Sequence, residues 1–317
     1  MQTISIPSKL DVEAAHKRIE PYIHRTPVLT SETFNRLFNS RFYFKCENFQ
    51  KVGAFKSRGA VNAVFSLSHK EAARGVATHS SGNHAQALAR AAALRGINAY
   101  IVMPDNAPQV KVDAVKGYGG MITFCEPTLK ARETTLKQVI KKTGAVEIHP
   151  YDKFEIVAGQ ATAAKELLED YPGLDIILVP VGGGGLLAGS ALAAKYYSPT
   201  TKVIACEPRG ADDAFRSFKA GKIIPSENPQ TIADGLLTSL GVLNFEIIKK
   251  DVADVVTVSE DSIKWAMKLI WERMKIIVEP SSAVPFAAVL ERKIEVQDKK
   301  VGIILSGGNV DLKKLRF

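Results

Sequence analysis

The sequence predicts an α/β protein of open, twisted, mostly parallel sheets flanked by helices, and three observations carry that prediction. Short apolar runs alternate with stretches of helical period almost throughout the chain. Each glycine-rich motif directly follows one of those runs, which is where parallel sheets open their ligand clefts. At 317 residues, 46% hydrophobic and 24% charged, the chain is large enough for a sizeable core in two lobes and is ordinary for a globular protein.

Along the chain, a short strand precedes Ser80-Ser81-Gly82-Asn83-His84, and a helix is predicted over 83–95. Residues 99–102 and 121–124 are β-branched and aromatic enough to read as strands, and 129–142 and 156–169 follow helical period. Residues 176–179, 202–205 and 301–305 are further apolar strands. In the helix predicted at 262–275, Ile263, Met267, Ile270 and Met274 recur at spacings of four, three and four, a stripe that belongs in the core.

The formal charge of +9 raises the question of nucleic acid, but the basic residues are scattered among acids. Lys137, Lys141 and Lys142 on one helix, and Lys313, Lys314 and Arg316 near the end, read as solvated faces. No helix-turn-helix, RNP motif or metal knuckle is present, so no nucleic-acid partner is expected. No run approaches the ~18 apolar residues of a membrane span, and the first seven residues lack a signal-peptide core, so a cytoplasmic protein without membrane contact is expected. Cys46, Cys125 and Cys206 are far apart and read as reduced, buried thiols; the six histidines form no zinc signature.

Four motifs carry chemistry. The run Ile176-Ile177-Leu178-Val179-Pro180-Val181 feeds Gly182-Gly183-Gly184-Gly185-Leu186, then an alanine-rich helix. Bare backbone N–H groups at a helix N-terminus form an anion site, though a flexible turn is the plain alternative. Ser80, Ser81, Gly82, Asn83 and His84 open a second helix and can hold a carboxylate, with Ser80 or Asn83 as a simple N-cap the competing account. Lys56 sits among apolar and small residues, where a desolvated amine loses its proton more readily and can attack an aldehyde, an ordinary solvated lysine being the plain alternative. Ser306-Gly307-Gly308-Asn309 follows the strand at 301–305 as a polar turn.

Taken in chain order, Lys56, the Ser80 loop, the glycine run and Ser306, the motifs resemble the serine and threonine dehydratase branch of the fold-type II pyridoxal phosphate enzymes, closest to eukaryotic-type serine racemases and hydroxyaspartate dehydratases. The resemblance runs from about Asp11 to Leu312 and takes in Thr231-Ile232-Ala233-Asp234-Gly235 and Glu279-Pro280. It implies a tryptophan synthase β-like architecture, with a large domain of 1–66 and 153–317, a small mobile domain of 67–152, and the cofactor cleft between. It also implies that Lys56 bonds pyridoxal phosphate covalently, Phe55 lies near the ring face, and Asn83 meets the ring oxygen. Gly182, Gly183, Gly184, Gly185 and Leu186 would hold the phosphate, and Ser306 the ring nitrogen.

By the same resemblance, Ser81 is a second acid/base opposite Lys56, and Ser80 to His84 with Arg132 meet the substrate. Glu207, the Ala211 carbonyl and Asp213 resemble a Mg²⁺ loop that Ca²⁺ or Mn²⁺ would also suit. Tyr151 stands where mammalian-type racemases have asparagine, and Val52 where they have threonine near a nucleotide site. The expected activity is serine racemisation with L-serine dehydration, by a homodimer acting on a small hydroxy-amino acid. L-Threonine or 3-hydroxyaspartate is the alternative substrate; a β-replacement enzyme and a non-enzymatic pyridoxal phosphate-binding protein are the other readings.

Overall fold

The computed structural model describes residues 4–107 and 109–312. Among the described residues ten strands form two sheets. The larger contains β1 (Val28–Leu29), β2 (Arg41–Cys46), β7 (Ile176–Pro180), β8 (Lys202–Pro208), β9 (Asp254–Val258) and β10 (Lys300–Leu305), in the order β1-β2-β10-β7-β8-β9. All its pairings are parallel except the short β1 against β2. The smaller sheet is wholly parallel, with β3 (Val76–His79), β4 (Ala99–Pro104), β5 (Met121–Cys125) and β6 (Val146–Glu147) in the order β5-β4-β3-β6.

Strand periodicity explains the layers. Along β7, Ile177 and Val179 face one apolar core while Ile176 and Leu178 face another, so the strand is buried on both sides and reads as a continuous hydrophobic run. The predicted stripe lies in the second core: Ile263, Met267 and Ile270 are buried and Met274 packs against them. Lys137, Lys141 and Lys142 are exposed; Lys313, Lys314 and Arg316 lie outside the described residues. Of the three free thiols, Cys46 and Cys206 are buried as expected, but Cys125 ends the edge strand β5 and is only partly covered.

This topology gathers the motifs. β10 lies between β2 and β7, so the chain leaves three neighbouring strands at one edge: toward Lys56 after β2, through Ser306 after β10, and into the glycine run after β7. The Ser80 loop leaves the same end of β3 in the small sheet. Helix Lys56–Ser66 packs on helix Phe154–Asp170 where two glycines meet. A Cβ on Gly159 would come within 2.7 Å of Gly59 Cα, so neither position admits a side chain without separating the helices.

Candidate active site

Lys56 opens its helix and projects its amine to the Pro150 carbonyl at 2.8 Å, passing over the Phe55 ring at 5.1 Å from the centroid. Burial lowers its pKa to about 8, against the opposing pull of Glu279. The amine therefore holds and releases a proton near neutrality.

The glycine run precedes helix Gly185–Tyr197, whose N-terminus has no side-chain cap. Gly184 has φ of 88°, a conformation that favours glycine. Elsewhere in the run, part of the room left by absent side chains is taken by protein: the Tyr151 ring rests where a Gly183 Cβ would be, and Leu236 Cα lies 2.9 Å from a Cβ built on Gly182. The Gly183 carbonyl is turned away, accepting from Asn244 Nδ2 at 2.7 Å and Gly241 N–H at 3.1 Å. The free N–H groups of the helix's first turn remain for an anion. Leu186 is buried behind them.

At the Ser80 loop, the N-cap expected of Ser80 or Asn83 is instead Gly82, which makes no side-chain cap bond. Ser80 Oγ accepts the Gly82 N–H at 3.3 Å, a turn-type bond before the helix starts. Asn83 is already helical and its amide is committed elsewhere: Nδ2 donates to both Glu279 oxygens at 3.0 and 3.2 Å, and Oδ1 accepts from Asn309 Nδ2 at 2.9 Å. Among the described residues no hydrogen-bond partner holds the Ser81 hydroxyl. His84 turns its ring into the core, with Nε2 3.1 Å from the Ile148 carbonyl, and burial pushes its pKa well down. What His84 offers a ligand is its main-chain N–H. Arg132 is half-exposed on helix Leu129–Thr143, and its charge helps lower the pKa of His79, after burial the second cause. That places it beside the residue preceding Ser80.

Ser306 is buried, its hydroxyl 3.1 Å from that of Ser282. Its carbonyl accepts the Phe55 N–H at 3.0 Å, tying this turn to the lysine segment. Glu279 is buried nearby, and desolvation, reinforced by Asp234, raises its pKa to about 7. Asn309 Nδ2 also donates to the Val52 carbonyl at 2.7 Å, and Val52 and Asn309 line a cavity of about 440 Å³ with Gly53, Gln86, Ala114, Gly117 and Tyr118. A chain of amides thus runs from that cavity through Asn83 to Glu279.

Beneath the lysine lies a feature the sequence did not announce. Lys45, Glu47, Arg58 and Glu166 are fully buried. Arg58 forks to both oxygens of Glu47 at 2.7 and 2.8 Å and both of Glu166 at 2.7 and 2.8 Å, while Lys45 reaches Glu166 at 2.6 Å. Burial alone would raise the Glu166 carboxyl; Arg58 and Lys45 instead hold it down at about 2. Removing one member strands the others, so Arg58→Met is expected to cost about 3–5 kcal/mol in urea unfolding. An unchanged midpoint would show that the carboxylates find water.

In the expected cation loop, Glu207 and Asp213 are both buried, as is Ala211. Glu207 accepts the N–H groups of Ala214 and Phe215 at 3.0 and 2.9 Å, and burial still raises its pKa to about 9. Asp213 accepts the Leu240 N–H at 3.2 Å with Oδ2, its Oδ1 is buried without a partner, and burial raises its pKa to about 6. Among the described residues no three His, Cys, Asp or Glu side chains cluster as a metal site. Two dry carboxylates, one with an orphaned oxygen, nonetheless fit a hard cation completed by carbonyl and water oxygens.

A desolvated lysine, a capless helix N-terminus after a glycine run, and loops leaving the carboxyl ends of mostly parallel strands are the features of an α/β enzyme that binds a phosphate-bearing cofactor. The chain belongs to the pyridoxal-phosphate dependent enzyme family, whose family model matches residues 19–307. It is 52% identical over 320 residues to a serine racemase of Dictyostelium discoideum, covering 99% of this chain and 98% of that one. It is also 52% identical over 310 residues to a beta-hydroxyaspartate dehydratase of Paracoccus denitrificans, covering 98% of each. The crystal structure of a Dictyostelium discoideum serine racemase superposes with a TM-score of 0.92 at 53% identity, covering 96% of this chain and 99% of that one. Among the described residues no helix is long and apolar enough to cross a membrane.

Proposed function

We propose that this enzyme racemises serine and dehydrates L-serine to pyruvate and ammonia. The observations that carry the reading are a desolvated Lys56 amine and, in the Ser80 to His84 loop, a Ser81 hydroxyl that no hydrogen-bond partner holds among the described residues. When bound, the cofactor supplies an electron-withdrawing conjugated ring that accepts the charge left when the α-proton departs. Lys56 takes or returns that proton on one face and Ser81 on the other. Gly182 to Gly185 with Leu186 hold the phosphate, Phe55 flanks the ring, Asn83 meets its oxygen and Ser306 its nitrogen. Main-chain donors from Ser80 to His84 hold the substrate carboxylate, and Arg132 stands at the rim. The small domain, 67–152, closes over the substrate; the four-stranded sheet lies inside those bounds. A cytoplasmic homodimer completes the proposal.

Dehydration of 3-hydroxyaspartate is the second reading, favoured by the equal identity to a dehydratase of that substrate. One assay separates them: L-serine, D-serine, L-threonine and the 3-hydroxyaspartate isomers, scored for keto acid and enantiomer together. Faster turnover of 3-hydroxyaspartate than of serine would reverse the order.

A divalent cation at Glu207 and Asp213 belongs to the same proposal. Folding raises the Asp213 pKa from 3.8 to about 6, so the folded state holds its proton longer. In cation-free protein that burial costs stability as pH rises through this interval, and Glu207 extends the loss toward 9. Magnesium should therefore raise the melting temperature more at pH 8 than at pH 5, by about 2.7 kcal/mol of stability at a hundredfold excess over the dissociation constant. Equal melts with magnesium and EDTA at pH 8 would remove the cation from the scheme, and Asp213→Ala should abolish any difference.

A further inference from the structure

Residues 149–152 form a turn just after β6, and each has a separate task. His149 Nδ1 accepts the N–H groups of Tyr151 at 3.3 Å and Asp152 at 2.8 Å. The Pro150 carbonyl receives the Lys56 amine. Tyr151 places its ring against Gly183, and its carbonyl accepts from Asn244 Nδ2 at 3.2 Å. The Asp152 carboxylate accepts the Val242 and Leu243 N–H groups at 2.9 and 3.0 Å, capping the helix Val242–Asp251 that carries Asn244. One short turn thus touches the lysine, the glycine run and the helix behind it.

We propose that His149 is a positioning residue: its Nδ1 lone pair fixes this turn so that Pro150 faces the Lys56 amine and the Tyr151 ring seats on Gly183. A lone pair at Nδ1 requires a neutral imidazole with its proton on Nε2. Burial lowers the His149 pKa to about 4, and the ring is held edge-on to Tyr151 at 4.6 Å between centroids, so a neutral ring is what the site keeps. Two backbone donors already occupy Nδ1, which rules out a role for that nitrogen as a base. The Pro150 carbonyl accepts from the Lys56 amine in its free state. This inference rests on Lys56 being the lysine that carries the cofactor.

Two measurements test it. Long-range ¹H–¹⁵N spectra of the histidine-labelled protein, with His149 assigned by the signal lost in His149→Asn, should show Nδ1 unprotonated at neutral pH. A proton on Nδ1 overturns the proposal, and this result needs no folded variant. Second, His149→Leu, which keeps bulk but offers no acceptor, should weaken cofactor binding in an absorbance titration of cofactor-free protein. It should also lower turnover by about 100-fold, the scale of a small misplacement at a reacting centre. His149→Asn presents an oxygen in nearly the same place and should stay close to the parent protein. Equal loss in both variants, with far-ultraviolet spectra intact, would assign His149 to ring packing and overturn the acceptor role. Borohydride reduction distinguishes the two levels: an adduct on another lysine sinks the Lys56 reading, whereas an adduct on Lys56 with normal binding by His149→Leu sinks this proposal alone.

Discussion

Lys56→Ala is expected to abolish turnover together with the absorption band at the edge of the visible, because the proposed scheme gives one amine the work of both covalent anchor and proton carrier. Loss of the base alone accounts for about 10²- to 10⁴-fold, and loss of the anchor adds to it. The fold should survive, since the ion cluster under the same helix makes no use of the Lys56 side chain. Borohydride reduction of the parent protein followed by peptide mapping checks the assignment. An adduct at any other lysine would falsify it, whatever the variant's activity.

Ser81→Ala should keep the absorption band, because the proposal puts the covalent and phosphate anchors elsewhere, yet it should separate two reactions. Racemisation needs a proton removed on one face and returned on the other, so it should fall by at least about 100-fold. Elimination from L-serine, with its α-proton taken by Lys56, should suffer much less, while elimination from D-serine collapses. If both enantiomers lose equally with binding intact, Ser81 only shapes the loop. The structure removes one rival account in advance, for the cap of the following helix is Gly82.

How much of this was legible depends on whether a residue's neighbours in space are also its neighbours in sequence. Strands β4, β5, β7, β8 and β10 were legible within a few residues because β-branched and apolar runs announce themselves locally. Helix Pro280–Leu290 was missed, since it is apolar on nearly every face and carries Pro285, leaving no stripe to count. Lys45, Glu47, Arg58 and Glu166 carry no motif and drew no reading from the sequence; only the packing of helix Lys56–Ser66 on Phe154–Asp170 shows that they neutralise one another in the dry interior. Within the site, Lys56, the glycine run and Ser306 each followed a recognisable strand or motif. Glu279 drew notice only as part of a family match, and Asn309 only as the end of a polar turn. Their partnership with Asn83 spans more than two hundred residues for Asn309 and nearly as many for Glu279, a distance no pattern covers.

The place of β10 has a consequence for synthesis. The small sheet is contiguous, from Val76 to Glu147, and can form as soon as those residues leave the ribosome. The large sheet cannot, because the strand joining β2 to β7 is the last of the described strands to be made. Such long-range pairings fold slowly and leave strand edges open in the meantime. A nascent chain that stops short of Lys300 therefore carries one finished sheet and two unjoined pieces of another, β1 with β2 and β7 to β9, each showing an apolar edge. At that stage the unpaired edges of β2 and β7 are the surfaces most open to mispairing.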